Sequence, residues 1–318
     1  MIYTLTINPA IDKLIFLERF VRNQTNRSAR TLETIGGKGT HVSLNLKILE
    51  QENQAILCVS GRAGDRLISM LHERGVKTET IQVDEVETRT NIIIVESSGD
   101  CTIVAEQGKP LAGIILDKVE DVLRKNVKGG DYLVLSGDAS NCARNIYSGI
   151  IREFSAIGVR VFLDTSGPYL RESLREGPFL VKPNLDELSQ ICGKPLNIGR
   201  FSEIVEALDI FDDYPIEVVA VSLGESGSLI KRGDKILRAY PPRINVKNTV
   251  GCGDAYLAGL VYGFHNQMTL EDTLVFATAV SGATAAHESS VGFDVDEAER
   301  QKEMVRIDRI LSTNQIPG

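Results

Sequence analysis

The chain has 318 residues, of which 42% are hydrophobic and 25% charged, and this composition permits a full core and excludes a disordered protein. Its formal net charge of -8 argues against nucleic acid or an anionic membrane surface as the main partner. Five scattered cysteines without a CxxC pair and four dispersed histidines indicate neither a disulfide framework nor a metal cluster.

The location of the protein is predicted from the same features. A membrane span needs about 18 consecutive apolar residues, and the sequence has no such run. The first residues, 1–6, lack the basic segment of a signal peptide and are typical of a strand. Unpaired cysteines are typical of a reducing compartment. We therefore expect a cytoplasmic protein.

Short β-branched runs alternate with amphipathic segments along most of the chain, which is typical of a mostly parallel sheet with helices on both faces. The predicted core strands are 2–7, 55–59, 132–135, 160–163, 179–182 and 217–222. The predicted helices are 40–51, 65–74, 111–125, 142–157, 185–192, 202–211, 255–264, 270–287 and 296–311. The sequence thus predicts an α/β fold.

Two segments depart from this alternation. Residues 13–20 and 88–106 are strand-like, and the second contains the turn Ser97-Ser98-Gly99-Asp100 of a hairpin. We expect them to form a small sheet that covers the ligand edge as a lid. The predicted main domain comprises residues 1–11, 36–86 and 107–318, and the discontinuous lid comprises 12–35 and 87–106.

A glycine-rich turn at residues 248–254 leads directly into the apolar helix 255–264. Such a turn gathers backbone N–H donors at a helix N-terminus, where the helix dipole also favours an anion. A carboxylate among these donors would be unfavourable unless it takes up a proton, so Asp254 is a candidate general base. The alternative is an ordinary aspartate at the start of a helix.

Further polar motifs follow other predicted strands. Gly36-Gly37-Lys38-Gly39 precedes a helix and permits close approach of a phosphate, although its spacing is not that of a Walker A loop. Asp12 follows the first strand, where open parallel sheets bind ligands. Arg89 and Asn91 lie two residues apart and share one face of a strand, which suits phosphate and hydroxyl groups. Each motif also has a purely structural interpretation, as a turn or a solvated edge.

Two motifs fall after later strands. Asn184 and Glu187 have the spacing of a capping box and could equally arrange water and Mg²⁺ near a triphosphate. Ser222, Gly224 and Gly227 belong to a turn that suits either nucleotide contact or a plain β-turn. These motifs alone leave both possibilities open.

The order of the motifs along the chain resembles that of the PfkB (ribokinase-like) carbohydrate kinases, and most closely the branch of 1-phosphofructokinases and tagatose-6-phosphate kinases. The resemblance runs through residues 8–12, 26–27, 36–39, 88–91, 182–187, 222–227 and 251–254. It implies a three-layer α/β/α domain with a mostly parallel sheet and a small β lid. It also implies ATP-dependent phosphorylation of a sugar-phosphate hydroxyl.

The resemblance implies a role for each matching residue. Asp254 would be the catalytic base, and the N–H groups of Gly251, Cys252 and Gly253 would form an anion hole. The implied ATP-binding residues are Lys182, Asn184, Ser222, Gly224, Gly227 and Gly253, with Mg²⁺ organised by Asn184 and, through water, by Glu187. The implied sugar-phosphate residues are Asp12, Gly37, Lys38, His41, Arg89 and Asn91. Arg27 would reach the substrate phosphate from a neighbouring subunit of a homodimer.

The chain departs from the family pattern at three positions. His41 stands where the motif GGKGxN ends in asparagine, and a histidine does not offer the paired donor and acceptor of an amide. Asn248 replaces the usual acid before the glycine-rich turn, which bears on a monovalent cation such as K⁺. Asp138 lies in a loop that begins as Ser-Gly and then diverges.

The resemblance therefore implies an ATP-dependent kinase, and we expect it to act on fructose 1-phosphate to give fructose 1,6-bisphosphate. Lys38 within the glycine turn favours a phosphorylated sugar over a neutral one. Tagatose 6-phosphate and fructose 6-phosphate stay open as alternative substrates. A nucleotide- and sugar-phosphate-binding sensor without turnover is the alternative from another class, which an intact Asp254 argues against.

Overall fold

The computed structural model describes residues 1–83 and 86–310. Its strands are β1 (Ile2–Thr6), β2 (Ala10–Leu17), β3 (Arg30–Gly36), β4 (Asn53–Val59), β5 (Lys77–Gln82), β6 (Arg89–Glu96), β7 (Cys101–Val104), β8 (Tyr132–Ser136), β9 (Arg160–Asp164), β10 (Leu180–Val181), β11 (Val218–Ser222), β12 (Ser228–Arg232), β13 (Lys235–Tyr240) and β14 (Arg306–Ile310). Its α-helices are α1 (Lys38–Ile48), α2 (Gly61–Glu73), α3 (Gly113–Asn126), α4 (Ile146–Ala156), α5 (Gly167–Ser173), α6 (Leu185–Cys192), α7 (Phe201–Ala207), α8 (Cys252–His265), α9 (Leu270–Ala285) and α10 (Val295–Met304).

In the described part of the chain, ten strands form the central sheet in the order β14-β13-β12-β11-β10-β9-β8-β1-β4-β5. The seven strands from β11 to β5 are mutually parallel, and β12, β13 and β14 continue the sheet in antiparallel pairs. The inner parallel strands are largely buried on both faces, as a sheet covered on both sides requires, whereas the edge strand β5 is polar and partly exposed. Their carboxyl ends meet at one edge, where the predicted motifs lie.

Two apolar layers enclose this sheet. On one face, side chains of α3, α4, α5, α6 and α7 pack together with Leu5, Leu133 and Leu163 of the strands. On the other face, α1, α8 and α9 pack against Ile2 and Val134, and α2 joins them over β4. The three-layer α/β/α arrangement predicted from the sequence is confirmed.

A separate four-stranded sheet has the order β3-β2-β6-β7. The predicted hairpin through residues 97–100 joins β6 to β7. The strand predicted at 13–20 actually occupies Ala10–Leu17, and β3 was not among the predicted strands. Leu14 and Ile93 of this small sheet cluster with Val250, which packs the sheet against the glycine-rich turn. The predicted domain boundaries stay a prediction.

The helix predicted at 296–311 was wrong in its second half. Helix α10 ends at Met304, and β14 then pairs antiparallel with β13. The physical reason is that the apolar residues here follow the spacing of a strand rather than that of a helix. Ile307 and Ile310 contact opposite apolar layers, whereas residues three apart in a helix would share one face. Residue 311 lies outside the described residues.

Within residues 1–83 and 86–310, the helices are too short or too polar to span a membrane.

Candidate active site

The amino terminus of α8 lies at the centre of the site. Gly251 adopts a left-handed conformation (φ 78°), and a Cβ there would lie 2.0 Å from the carbonyl oxygen of Ser290. In the described parts of the chain, the N–H groups of Gly251 and Gly253 have no hydrogen-bond acceptor. Two free donors therefore point out of a helix N-terminus beside Asp254, an arrangement that can bind an anion.

The N–H of Cys252, also predicted for the anion hole, is not free, because it donates to the carbonyl oxygen of Thr249 over 3.5 Å. Burial raises the pKa of the Cys252 thiol to about 12. The thiol consequently stays protonated at neutral pH and is not a nucleophile there.

His41 connects Asp254 to the small sheet. Its Nδ1 lies 2.7 Å from Oδ2 of Asp254, and its Nε2 lies 2.9 Å from the carbonyl oxygen of Ile35 and 3.6 Å from Oδ2 of Asp12. The ring is 4% exposed. Both ring nitrogens contact protein acceptors, so neither faces outward to a sugar hydroxyl.

The charge of His41 follows from these contacts. Burial alone would lower the pKa of the imidazole, but hydrogen bonds and charges of Asp12 and Asp254 outweigh it and raise the pKa to about 10. The imidazole is therefore held in its charged form at neutral pH, between the carboxyl groups of Asp12 and Asp254.

Asp12 is held from several sides. The Asn91 amide donates to its Oδ1 over 2.8 Å, and the Ser290 hydroxyl donates to its Oδ2 over 3.5 Å. This pairing follows from strand register, because Asp12 lies directly opposite Asn91 in the parallel β2–β6 pair. Gly36 leaves room for the carboxylate, since a Cβ at that position would lie 2.3 Å from Oδ1 of Asp12.

A second charged cluster surrounds Asp164 at the end of β9. The ammonium groups of Lys38 and Lys182 lie 3.3 Å and 3.2 Å from its Oδ1. Burial alone would raise the pKa of Asp164, but the two lysines hold the pKa below its ordinary value. The charge of the neighbouring Asp164 raises the pKa of Lys38, so Lys38 is charged at neutral pH.

Asn184 and Glu187 form the predicted capping box at the start of α6. The N–H of Glu187 donates to Oδ1 of Asn184 over 2.8 Å, and the N–H of Asn184 donates to Oε2 of Glu187 over 2.9 Å. Burial and, further, the charge of Asp164 raise the pKa of Glu187. The cap and a role toward Mg²⁺ are compatible, because each side chain uses only one of its two polar atoms in the cap.

The described residues contain no group of three or more histidine, cysteine or acidic side chains that could hold a metal alone. The donor set nevertheless fits Mg²⁺ carried by a nucleotide. Mg²⁺ usually keeps several waters and takes only one or two protein carboxylates besides phosphate oxygens. Asp164 and Glu187 supply such carboxylates next to the lysines.

The remaining nucleotide candidates lie at the neighbouring strand end. Ser222 ends β11 and pairs with Asn184 in an isolated bridge, so both face the same edge. Gly224 and Gly227 belong to the turn that leads to β12. Gly227 cannot carry a side chain, because its Cβ would lie 1.9 Å from the carbonyl oxygen of Ala239.

Arg89 faces the rim of the site rather than its centre. Its guanidinium donates to the carbonyl oxygen of Asn8 over 3.0 Å and to that of Glu106 over 3.1 Å. Burial lowers its pKa, while the charges of Asp12, Asp138 and Glu106 act in the opposite direction.

Arg27 and Gly37 complete the predicted set. Arg27 is exposed in the loop between β2 and β3, and the structure does not bring it into the cluster around Asp254. Gly37 precedes α1 in a conformation with φ 99° that glycine tolerates, which places Lys38 at the first position of the helix.

Sequence reasoning missed two residues of the site. Asp164 directly follows the strand predicted at 160–163, and this position at the ligand-binding end of a parallel strand was the available signal. Ser290 lies in the segment after α9, and the sequence carries no motif that marks it. Asn248, one of the departures, is 1% exposed and donates to the carbonyl oxygens of His287 and Ser289 over 2.7 Å and 3.2 Å.

Comparison with known proteins adds an independent finding. Residues 6–296 match the model of the pfkB family of carbohydrate kinases. The 1-phosphofructokinase of Borreliella burgdorferi is 32% identical over 287 residues, which cover 90% of this chain and 92% of the relative. The tagatose-6-phosphate kinase of Staphylococcus epidermidis is 32% identical over 315 residues, which cover 96% and 100%.

A solved structure has the same architecture. Phosphofructokinase-2 from Escherichia coli, in complex with potassium, aligns with a TM-score of 0.88 and 25% sequence identity. The alignment covers 95% of this chain and 98% of the other. The likeness therefore includes both the central and the small sheet.

We expect the free energy of unfolding of the wild type to fall, relative to that of a His41→Asn variant, as the pH rises. Folding raises the pKa of His41 from 6.5 to about 10. Its stabilising effect is thus complete below the unfolded pKa and is lost as the pH rises through the folded pKa. One proton limits the slope to about 1.4 kcal/mol per pH unit. Urea titrations of both proteins between about pH 6.5 and 9.5 measure their free energies of unfolding. A difference between the two proteins that stays constant with pH would contradict the prediction.

Proposed function

The chain belongs to the pfkB family of carbohydrate kinases, and from this premise we propose that it transfers the γ-phosphoryl group of ATP to fructose 1-phosphate, giving fructose 1,6-bisphosphate. The observation that carries the proposal is the amino terminus of α8, where free N–H groups of Gly251 and Gly253 lie beside a nearly buried Asp254. Phosphoryl transfer needs this combination of anion stabilisation and a proton acceptor.

The nucleotide side of the site is built around Asp164. Lys182 lies next to Gly253, since a Cβ on that glycine would lie 3.8 Å from its Nζ. A charged lysine and free amides thus face the same point, where negative charge accumulates on the transferring group. Mg²⁺ brought by ATP would be held by Asp164 and Glu187 through water, and Asn184 would orient that water. Bound Mg²⁺ would neutralise part of the phosphate charge.

The acceptor side lies between the small sheet and α1. The Oδ1 atom of Asn91 is buried without a hydrogen-bond donor in the described parts of the chain. Leaving a buried amide oxygen unpaired is unfavourable, so a sugar hydroxyl is a suitable donor. Asp12, fixed by the same Asn91, would accept from a second hydroxyl, while Lys38 and Arg89 would bind the phosphate already present on the sugar.

Fructose 1-phosphate is the first candidate among the ketohexose phosphates because relatives from several species are named 1-phosphofructokinase. Tagatose 6-phosphate is the second candidate, because a relative of equal identity is named for it. Fructose 6-phosphate is the third. A monovalent cation such as K⁺ is a further expected cofactor, since a potassium complex exists for a protein of the same fold.

The test is a coupled ADP-release assay with Mg-ATP against fructose 1-phosphate, tagatose 6-phosphate, fructose 6-phosphate and unphosphorylated fructose, with K⁺ and with Na⁺ alone. We expect kcat/KM to be highest for fructose 1-phosphate. A preference for another phosphate ester would change the proposed substrate but would still support a binding site for the sugar's phosphate. A preference for fructose would remove the role of Lys38 and Arg89. If none of the four compounds gave ADP release while ATP still bound, the result would favour a nucleotide- and sugar-phosphate-binding sensor.

Replacing Asp254 with asparagine removes proton acceptance while preserving shape. General-base catalysis contributes on the order of 10²- to 10⁴-fold, and we expect kcat to fall by such a factor. The affinity for ATP, measured by calorimetry, should change little, since the amides of the turn remain. Asp65→Asn, an exposed aspartate on α2, is the matched control and should retain full activity. Activity of Asp254→Asn within a few-fold of wild type would remove Asp254 from the role of base.

We also propose a homodimer formed through the small sheet. Its edge strand β7 exposes Ile103 and Val104 by 53% and 56%, which is unfavourable for an isolated sheet edge. A partner subunit at this sheet would also explain the exposed position of Arg27.

Sedimentation equilibrium at micromolar concentration tests the dimer. The wild type is expected to sediment with twice the chain mass, and Ile103→Lys is expected to shift it to monomer by placing a charge in the contact. Ile114→Lys, at an exposed isoleucine on α3, serves as control and should leave the mass unchanged. A wild-type monomer would rule the dimer out.

A further inference from the structure

The contact between His41 and Asp254 restricts where protons can lie. The carbonyl oxygen of Ile35 can only accept, so the Nε2 that approaches it within 2.9 Å carries a proton. The other ring nitrogen, Nδ1, shares one proton with Oδ2 of Asp254 over 2.7 Å. Hydrogen bonds and charges of Asp12 and Asp254 raise the pKa of the imidazole, which places the shared proton on Nδ1 and makes the contact with Oδ2 a charge-assisted hydrogen bond.

The two oxygens of Asp254 consequently differ. Oδ2 is bound by His41, whereas Oδ1 accepts no hydrogen bond from any residue within 1–83 and 86–310. Only Oδ1 is available to a bound hydroxyl. A carboxylate fixed through one oxygen presents the other in a defined direction, which a freely rotating carboxylate does not.

We infer that His41 is a positioning residue for the base: it fixes Oδ2 of Asp254, aims Oδ1 at the acceptor hydroxyl and links the base to the sugar-binding Asp12. This inference rests on the proposed function. In the step, the hydroxyl proton passes to Oδ1 while the hydroxyl oxygen forms its bond to the γ-phosphorus. The bond between that phosphorus and the β–γ bridging oxygen breaks, and ADP leaves with the electron pair.

The surroundings of the ring support this role. The charged groups that face it are Asp12 from β2 and Asp254 from α8, and Lys38 on the same helix pairs with Asp164 instead. With two carboxylates and one imidazolium, the cluster repels a substrate phosphate less than two unpaired carboxylates would. Hydrogen bonding to both carboxylates also explains why the pKa of His41 is raised to about 10.

The first measurement compares pH profiles of kcat in the wild type and in His41→Asn, with sugar phosphate and ATP both saturating. The amide leaves no cation beside the base, so we expect the acid limb of the profile to move to higher pH by about one unit or more. At neutral pH we expect kcat to fall about tenfold or more while the KM for ATP stays within twofold. Superimposable profiles with equal kcat would overturn the inference.

A second variant separates the orientation of the Asp254 carboxylate from the effect of the positive charge on His41. His41→Gln can still donate to Oδ2 but is neutral, so it should recover part of kcat and leave the acid limb at its shifted position. A merely structural histidine would instead lower the amount of folded protein, measured by urea unfolding, without moving either limb.

The third measurement needs neither activity nor a variant. In wild-type protein labelled with ¹⁵N-histidine, one of the four imidazoles should stay protonated on both nitrogens at about pH 8.5, far above the ordinary range of histidine. Four neutral rings at that pH would overturn the inference even if the variants fail to fold. If the protein lacked kinase activity but retained the imidazolium, the proposed function would fail and the ion pair would stand.

Discussion

The site depends on one geometric constraint: parallel strands bring all their carboxyl ends to the same edge of the sheet. Ser136, Asp164 and Ser222 are the last residues of β8, β9 and β11, and Lys182 directly follows β10. Residues distant in sequence thereby become neighbours without long loops. The small sheet adds Asp12 and Asn91, which lie opposite each other in its parallel β2–β6 pair. The amino terminus of α8, with the free N–H groups of Gly251 and Gly253 in the described part of the chain, lies where the small sheet packs against the main domain.

Gathering so many charges has an electrostatic cost that the structure offsets by pairing. Asp164 and Lys182 are only 1% and 4% exposed in their side chains, and an unpaired charge at that depth would be strongly destabilising. Each buried carboxylate of the site has a cation or an amide donor within hydrogen-bond reach. Under the proposed function, the same pairing would hold Lys182 in place before ATP arrives, so that a triphosphate could bind with little rearrangement. The pairing of buried charges that stabilises the fold would thus also prepare the site for a nucleotide.

Sequence and structure agree best where a motif has a local physical meaning. The family and the carbohydrate kinase class are confirmed, as is the three-layer fold, because glycine turns and apolar periods are properties of short segments. The capping box at Asn184 follows from spacing alone. Asp164 escaped prediction because a single acid after a strand is unremarkable until two lysines from other elements converge on it. Likewise, strand β14 depends on a free sheet edge, which only the assembled fold provides.

The departures from the family pattern fall mainly on the acceptor side. His41 was expected to contact sugar, yet both of its nitrogens are taken by Ile35 and by Asp254, so its influence on the substrate is exerted through carboxylates. Asp138 bonds to its own loop at Ser140, while its charge still reaches Arg89. The residues predicted for the nucleotide lie together at the ends of β10 and β11. Under the proposed function, the departures would therefore affect the choice among sugar phosphates, through the charges around Asp12, His41 and Arg89, more than they would affect phosphoryl donation.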